Sequence, residues 1–361
     1  MNIVIRADSS IEMGNGHIMR CLTLAEKLIC YGANVIFVCR DFEKNSISQI
    51  ENKGIKVIKL PSGRETFDHI KWTGENWRLD IEETISAINK IEKSTDILLV
   101  DHYGIDSNWE RQMSQYVNKI VVIDDLANRK HYCDLLIDPT FGESSERYSS
   151  LIPGYAKGLF GVKYAILRED FKKLKKKKFI FRGRKIKVHM FFGGIDSLNH
   201  TTKFSSIILK KFKNVELHVV VGKAFEFTTD LVQLKTSYPE NFDWVQDIDN
   251  MAEHMSKCDL AIGSPGNATW ERACIGLPSA YLATNLNQIP ILKRLEEKNL
   301  CVFLGEASKI DAATFVEKIS MFLSSDTLLK QLFYCSTRHV DGCGAARVRK
   351  ELFELMGEEN E

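Results

Sequence analysis

The sequence has almost no excess of either charge, no paired-cysteine motif and no long apolar run, and each shortage removes a class of function. Its 361 residues carry 49 Lys and Arg against 48 Asp and Glu, a formal net charge of +1, so no overall field draws the chain to nucleic acid or to an anionic membrane. Any anionic partner has to be met locally. No stretch approaches the roughly eighteen uninterrupted apolar residues of a spanning helix. The N-terminal MNIVIRADSSIEM offers too few apolar residues for a signal-peptide core, and the chain is expected in the cytoplasm. Nine cysteines, an odd number, show no CxxC and no zinc-finger spacing to His, which points to reduced, mostly buried thiols. The nine His form no HxH or HExxH, and neither a metal nor a cofactor is expected. One DxD, Asp247 and Asp249 around Ile248, directly precedes the helical pattern NMAEHMSKC, where Asp and Asn are expected as caps.

What is present is the composition of an ordinary folded protein, 44% hydrophobic and 27% charged, at a length that predicts two domains at about 150 residues each. Short Val/Ile/Leu runs recur between helical patterns: NIVIR (2–6), NVIFVC (34–39), IKVIKL (55–60), DILLVD (96–101), KIVVIDD (119–125) and CDLLID (133–138). The second half repeats the theme with KVHMFFGG (187–194), VELHVVVG (215–222), CDLAIGS (258–264) and PSAYLAT (278–284). Continuous apolar runs spaced by helix-length segments predict parallel strands buried on both faces, hence two tandem α/β domains of the doubly wound kind. The boundaries expected are 1–170, a basic linker at 171–187 (FKKLKKKKFIFRGRKIK) and 188–361 with a helical, charged tail. The basic run is read as solvated, because no matching nucleic-acid fold accompanies it.

Three loops draw attention. NIVIR is followed by ADSSIEMGNGH and then by a helix whose Ile18, Leu22, Ala25 and Leu28 share one face, so His17 falls at or just inside a helix N-terminus. Gly14 and Gly16 allow positive φ and close approach of a ligand to backbone, where an anion or polar substrate could dock. The partial positive charge of a helix start disfavours an imidazolium and leaves His17 a neutral general base; the alternative is that it merely occupies the helix start. The dinucleotide fingerprint G-x-G-x-x-G is not completed, because its third glycine would fall at Met19. In the second half, Gly193, Gly194 and Asp196 end one strand in a turn where bare backbone can meet a phosphate or simply turn. Ser264, Gly266 and Asn267 form a loop before a helix, where a diphosphate could sit. Glu271, one turn into that helix, is placed for the vicinal hydroxyls of a ribose, although the macrodipole alone also favours it. Asn287 and Gln288 follow the next strand, at an edge where open α/β sheets gather their sites.

RADSS (6–10), GNGHIMRCLTLA (14–25), DHYG (101–104), YAILREDF (164–171), FGGID (192–196), WERACIGLP (270–278), NQ (287–288) and DGCGAARV (341–348) run in order along most of the chain. Together they resemble the UDP-2,4-diacetamido-2,4,6-trideoxy-β-L-altropyranose hydrolase family of pseudaminic acid biosynthesis. The WE and GLP pieces are also similar to those of related nucleotide-sugar glycosyltransferases. The resemblance implies two facing Rossmann-like domains, the GT-B architecture, with an interdomain cleft, and a metal-independent hydrolase acting with inversion. It implies His17 as the catalytic base, Tyr103 and Asn287 on the sugar side, and the Ser264 loop with Glu271 on the UDP side. Asp8 or Asp101 would orient the His17 ring. The partner implied is the small-molecule UDP-sugar, with no nucleic acid and no membrane, the chain being a monomer. The competing readings are a glycosyltransferase using a related UDP-sugar and a non-catalytic nucleotide-sugar-binding protein.

Overall fold

The computed structural model describes residues 1–63, 68–142, 145–180 and 185–357. The chain divides into two compact units, Met1–Leu167 with Cys343–Glu361, and Arg168–Gly342. In the first, strands β1 (Asn2–Ala7), β2 (Asn34–Arg40), β3 (Lys56–Leu60), β4 (Ile97–Asp101), β5 (Lys119–Ile123), β6 (Leu135–Asp138) and β7 (Lys157–Phe160) form one sheet in the order β3-β2-β1-β4-β5-β6-β7, with every pairing parallel. Alternation along each strand serves two cores at once. Ile3, Ile5 and Ala7 pack on Ile18, Leu22, Ala25 and Leu28 of the helix Gly16–Ile29, while Val4 faces Val38, Leu98, Val100 and Trp109 on the other side.

The second unit repeats the plan with β8 (Ile186–Phe191), β9 (Val215–Val221), β10 (Phe242–Gln246), β11 (Leu260–Gly263), β12 (Ser279–Ala283) and β13 (Val302–Glu306), ordered β10-β9-β8-β11-β12-β13 and again parallel. Each sheet reverses its strand order once, between β1 and β4 and between β8 and β11. These are the switch points outside which open α/β sheets place their ligands. Among the described residues no helix is long and apolar enough to cross a membrane. All nine cysteines are free thiols, six of them buried.

Two expectations about chain organisation are corrected. The last helix, Gly344–Leu355, packs on the first unit, where Ala345, Val348, Leu352 and Phe353 enter the core beside Ile18 and Leu22, rather than ending the second. Its entry is close: a Cβ at Gly344 would lie 2.1 Å from the Ala165 carbonyl oxygen. The basic run is not solvated throughout: residues 172–174 are exposed, but Lys175 and Lys176 are tied to the second unit. Lys175 Nζ donates to the carbonyls of Thr337 (2.7 Å) and Val340 (3.2 Å) at the end of the helix Asp326–His339, the end at which cations are favoured. Lys176 Nζ donates to the Cys258 carbonyl, and its backbone N–H to the Ile275 carbonyl at 2.9 Å. Residues 181–184 of the run and 358–361 of the charged tail lie outside the described residues.

Candidate active site

In the first unit the loop after β1 turns back through Gly14 (φ +73°) and opens the helix Gly16–Ile29, whose N-cap Asn15 makes no side-chain cap bond. Gly16, expected to share the positive φ, is instead the first helical residue. His17 follows it, with only 5% of its surface exposed. Its Nδ1 lies 2.6 Å from Oδ1 of Asp101, the fully buried last residue of β4. A carboxylate at that distance accepts the Nδ1 proton, so the ring keeps Nε2 as its basic atom.

Asp101 is also gripped by Arg20, one helical turn beyond His17, through Nε to Oδ2 and Nη2 to Oδ1, both at 2.6 Å. Burial alone would raise the Asp101 carboxyl; Arg20 and then His17 overturn that and hold it well below the usual carboxylate range. The third nitrogen of the same guanidinium, Nη1, donates to Asp125 Oδ2 at 2.9 Å, just beyond β5. Asp125 Oδ1 in turn accepts from the Tyr103 hydroxyl at 2.7 Å. Tyr103 sets its ring nearly perpendicular to that of His17, with centroids 4.5 Å apart. Burial pushes the Tyr103 phenol well up, and Asp125 adds to the shift.

Of the two carboxylates that could orient His17, the geometry selects Asp101. Asp8 belongs to a separate buried group, accepting from Arg6 Nη1 (2.6 Å) and from the Arg40 backbone N–H (2.7 Å) and lying 3.3 Å from His102 Nε2. Asp80 completes that group by accepting from Arg6, Arg40 and the Trp109 indole. Arg20 and Asp125 are absent from the expected site. Arg20 reads as an ordinary polar position on a helix, and only the parallel pairing of β1, β4 and β5 brings residues 101, 103 and 125 beside it.

The loops of the second unit converge at its own switch point. Ser264 N–H donates to the Phe191 carbonyl at 3.2 Å, and a Cβ at Gly193 would lie 4.0 Å from Ser264 Oγ. Gly193 and Gly266 carry φ of +99° and +130°, while Gly194 does not share the left-handed region. Gly266 is the N-cap of the helix Asn267–Ile275 and has no side chain with which to cap it; its N–H donates to Thr269 Oγ1 at 3.2 Å. Glu271 lies one turn in, half-buried, its carboxyl raised by burial against the opposing charges of Arg168 and Arg272. Asn287 is exposed on the turn after β12. Gln288 is committed to that turn, since its Oε1 accepts from Thr284 N–H (2.9 Å) and Thr284 Oγ1 (3.2 Å). Asp247 and Asp249 precede the helix Met251–Ser256, but Asn250 holds the cap position. Among the described residues no group of three or more His, Cys, Asp or Glu side chains is arranged to hold a metal ion.

Two α/β units of this order, each with a glycine loop at its switch point, define a GT-B fold, and solved structures agree over nearly the whole chain. The calicheamicin glycosyltransferase CalG4 superposes with a TM-score of 0.67 at 13% identity, covering 99% of this chain and 98% of its own. MurG of Acinetobacter baumannii gives 0.65 at 12% identity, covering 98% and 99%. No family model matches the chain. In sequence it is 28% identical over 291 residues to an uncharacterized protein of Methanocaldococcus jannaschii, covering 79% of this chain and 56% of that one. It is 28% identical over 211 residues to UDP-2,4-diacetamido-2,4,6-trideoxy-β-L-altropyranose hydrolase of Campylobacter jejuni, covering 58% and 66%. The spore coat polysaccharide biosynthesis protein SpsG of Bacillus subtilis is 22% identical over 369 residues, covering 99% and 100%. The matched segments thus span little more than half of the first of these relatives and just under two thirds of the second.

Proposed function

We propose that the protein hydrolyses a UDP-linked 2,4-diacetamido-2,4,6-trideoxy sugar to UDP and the free sugar, with inversion at the anomeric carbon and without a metal. The observation that carries the proposal is the His17 Nδ1 to Asp101 Oδ1 contact of 2.6 Å, which assigns the tautomer a general base needs. The likeness to the Campylobacter jejuni hydrolase, and the motifs shared with its family, support the choice of sugar and of water as acceptor.

In this reading water attacks the anomeric carbon from the face opposite the diphosphate and gives its proton to His17 Nε2. The bond between that carbon and the phosphate oxygen breaks, and the electron pair leaves with UDP. Asp101, kept ionised by Arg20, stabilises the imidazolium that forms. Ordinary glycosides need a carboxylic acid to protonate the leaving oxygen. A diphosphate spreads its charge and can leave unprotonated, helped by the helix start at Gly266. Tyr103 and Asn287 meet the sugar, the former through its ring and the oxygen it shares with Asp125; the loops at Gly193, Gly194 and Ser264–Asn267 hold the diphosphate, and Glu271 the ribose.

A second reading, transfer of the sugar to a hydroxyl acceptor, is favoured by the likeness to the glycosyltransferase CalG4 over 99% of the chain. The two separate on acceptor dependence. Incubating the purified protein with the UDP-sugar in EDTA and no acceptor, and following UDP and free sugar by NMR, yields both products if water is the acceptor and neither if a hydroxyl partner is required.

A further inference from the structure

Arg272 is a guanidinium with no exposed surface and no carboxylate within ion-pair distance among the described residues. It lies on the helix Asn267–Ile275 and donates from Nη1 to the Ser264 carbonyl (3.1 Å) and from Nη2 to the Phe191 carbonyl (3.0 Å), while its Nε has no partner. It therefore ties together the two chain segments that leave β8 and β11 at the switch point. The sequence reserves its place: a Cβ at Gly263, the last residue of β11, would lie 2.8 Å from Arg272 Nη2 and 2.0 Å from the Phe191 oxygen.

Buried charges are ordinarily paired, because desolvating a lone ion costs several kcal/mol. Here the neighbours do little to neutralise the cation. Tyr281 offers its ring face with the guanidinium carbon 5.3 Å from the centroid, and the adjacent Glu271 carboxyl, raised by burial and drawn down in turn by Arg168 and Arg272, makes no ion pair with it. His189 is kept neutral, by burial first and then by the charge of Arg272. Among the described residues no carboxylate thus meets the guanidinium at contact distance; its hydrogen bonds go to backbone carbonyls, directly behind two glycine-bearing loops.

We propose that Arg272 is a positioning residue whose missing counter-ion is the diphosphate of the bound nucleotide: it fixes the Phe191 and Ser264 loops from behind and supplies a permanent positive charge to the anion they hold. The inference rests on the UDP reading and deepens it. It predicts that discrimination between UDP and uridine, which share the base and ribose and differ in the diphosphate, passes largely through this side chain.

The test is calorimetric titration of wild type, Arg272→Gln and Arg272→Lys with UDP and with uridine, each protein first checked for folding by circular dichroism. Wild type binds UDP more tightly than uridine. Arg272→Gln loses about tenfold or more of that preference while uridine affinity stays within about twofold, and Arg272→Lys, which keeps the charge, retains most of the preference. A folded Gln variant with unchanged preference overturns the proposal, as does a parallel loss for both ligands, which would make Arg272 merely structural. If neither variant folds, wild type decides: millimolar pyrophosphate alone raises its melting temperature, and no rise overturns the proposal. A wild type that does not prefer UDP to uridine would instead sink the UDP reading itself.

Discussion

Nδ1 of His17 and Oδ1 of Asp101 lie 2.6 Å apart although 84 positions separate the residues in the chain, and the contact fixes which ring nitrogen can take a proton. It also gathers three strand ends: the helix after β1 carries His17, the proposed base, β4 carries the carboxylate that contacts it, and the chain beyond β5 carries Asp125, which pairs with Arg20 and Tyr103. Asp101→Asn should lower the turnover number by about 10²- to 10⁴-fold, the range expected of a base that is misplaced or in the wrong tautomer, while the affinity for UDP stays unchanged. Steady-state kinetics beside UDP titration read the two effects separately.

Arg20 holds Asp101 and Asp125 together, and Arg20→Met leaves both without their cation. The loss should be about 3–5 kcal/mol at pH 7, measured by urea unfolding. Its pH dependence has a definite sign. In wild type the Asp101 carboxyl is held below its unfolded value, so its contribution is complete above the ordinary aspartate range near pH 4 and is lost as pH falls below it. In the variant only His17 still opposes burial and the carboxyl is held down less, so the gap between the two proteins should be wide at pH 7 and shrink as the solution is acidified.

Acid should also act on the second unit through a histidine pair. His189 and His254 approach to 3.2 Å between their Nδ1 atoms, near His218, Arg272, Lys257, Glu216 and Asp243. Burial and these cations lower both imidazoles, His254 to about 4. A lowered histidine favours the neutral folded form, so stability is unaffected above about pH 6.5 and falls as pH drops from there toward 4. The melting temperature should decline across this window in wild type and decline less in His254→Asn.

Most strands can be read in the sequence because the sheet faces are largely buried, which leaves apolar runs at β1, β2, β4 and β5, while in β8 and β9 Lys187, His189, Glu216 and His218 alternate with apolar residues. The strands that escaped, β7 (KGLF), β10 (FDWVQ) and β13 (VFLGE), are all sheet edges whose half-exposed residues break the run. His17 and the glycine loops were legible because they sit between a strand and a helix in immediate succession. Asp101 was one of two equal candidates until the pairing of β1 with β4 put it beside the helix start and left Asp8 to Arg6 and Arg40. The last helix illustrates the same limit: nothing local tells residues 344–355 which core they complete. Leu352→Ala should cost about 2–5 kcal/mol in the transition that reports the first unit, and a loss confined to the second unit's transition would contradict the packing described.

Tyr103→Phe removes the hydroxyl that Asp125 accepts but keeps the ring against His17. A hydrogen bond to a carboxylate is worth about 1.5–3 kcal/mol, so turnover should fall by at most about ten- to a hundredfold, whereas Tyr103→Ala, which also removes the ring, should lose considerably more. Equal losses in the two variants would assign the whole role of Tyr103 to its oxygen.

The most direct measurement is NMR of UDP release and of the anomeric proton of the freed sugar, for wild type and His17→Asn, with the UDP-diacetamido sugar in EDTA and without any acceptor. The account predicts inverted free sugar from wild type, and from His17→Asn at least about a hundredfold less product while UDP still binds. Undiminished hydrolysis by His17→Asn, or no hydrolysis by wild type until an acceptor is added, would contradict it.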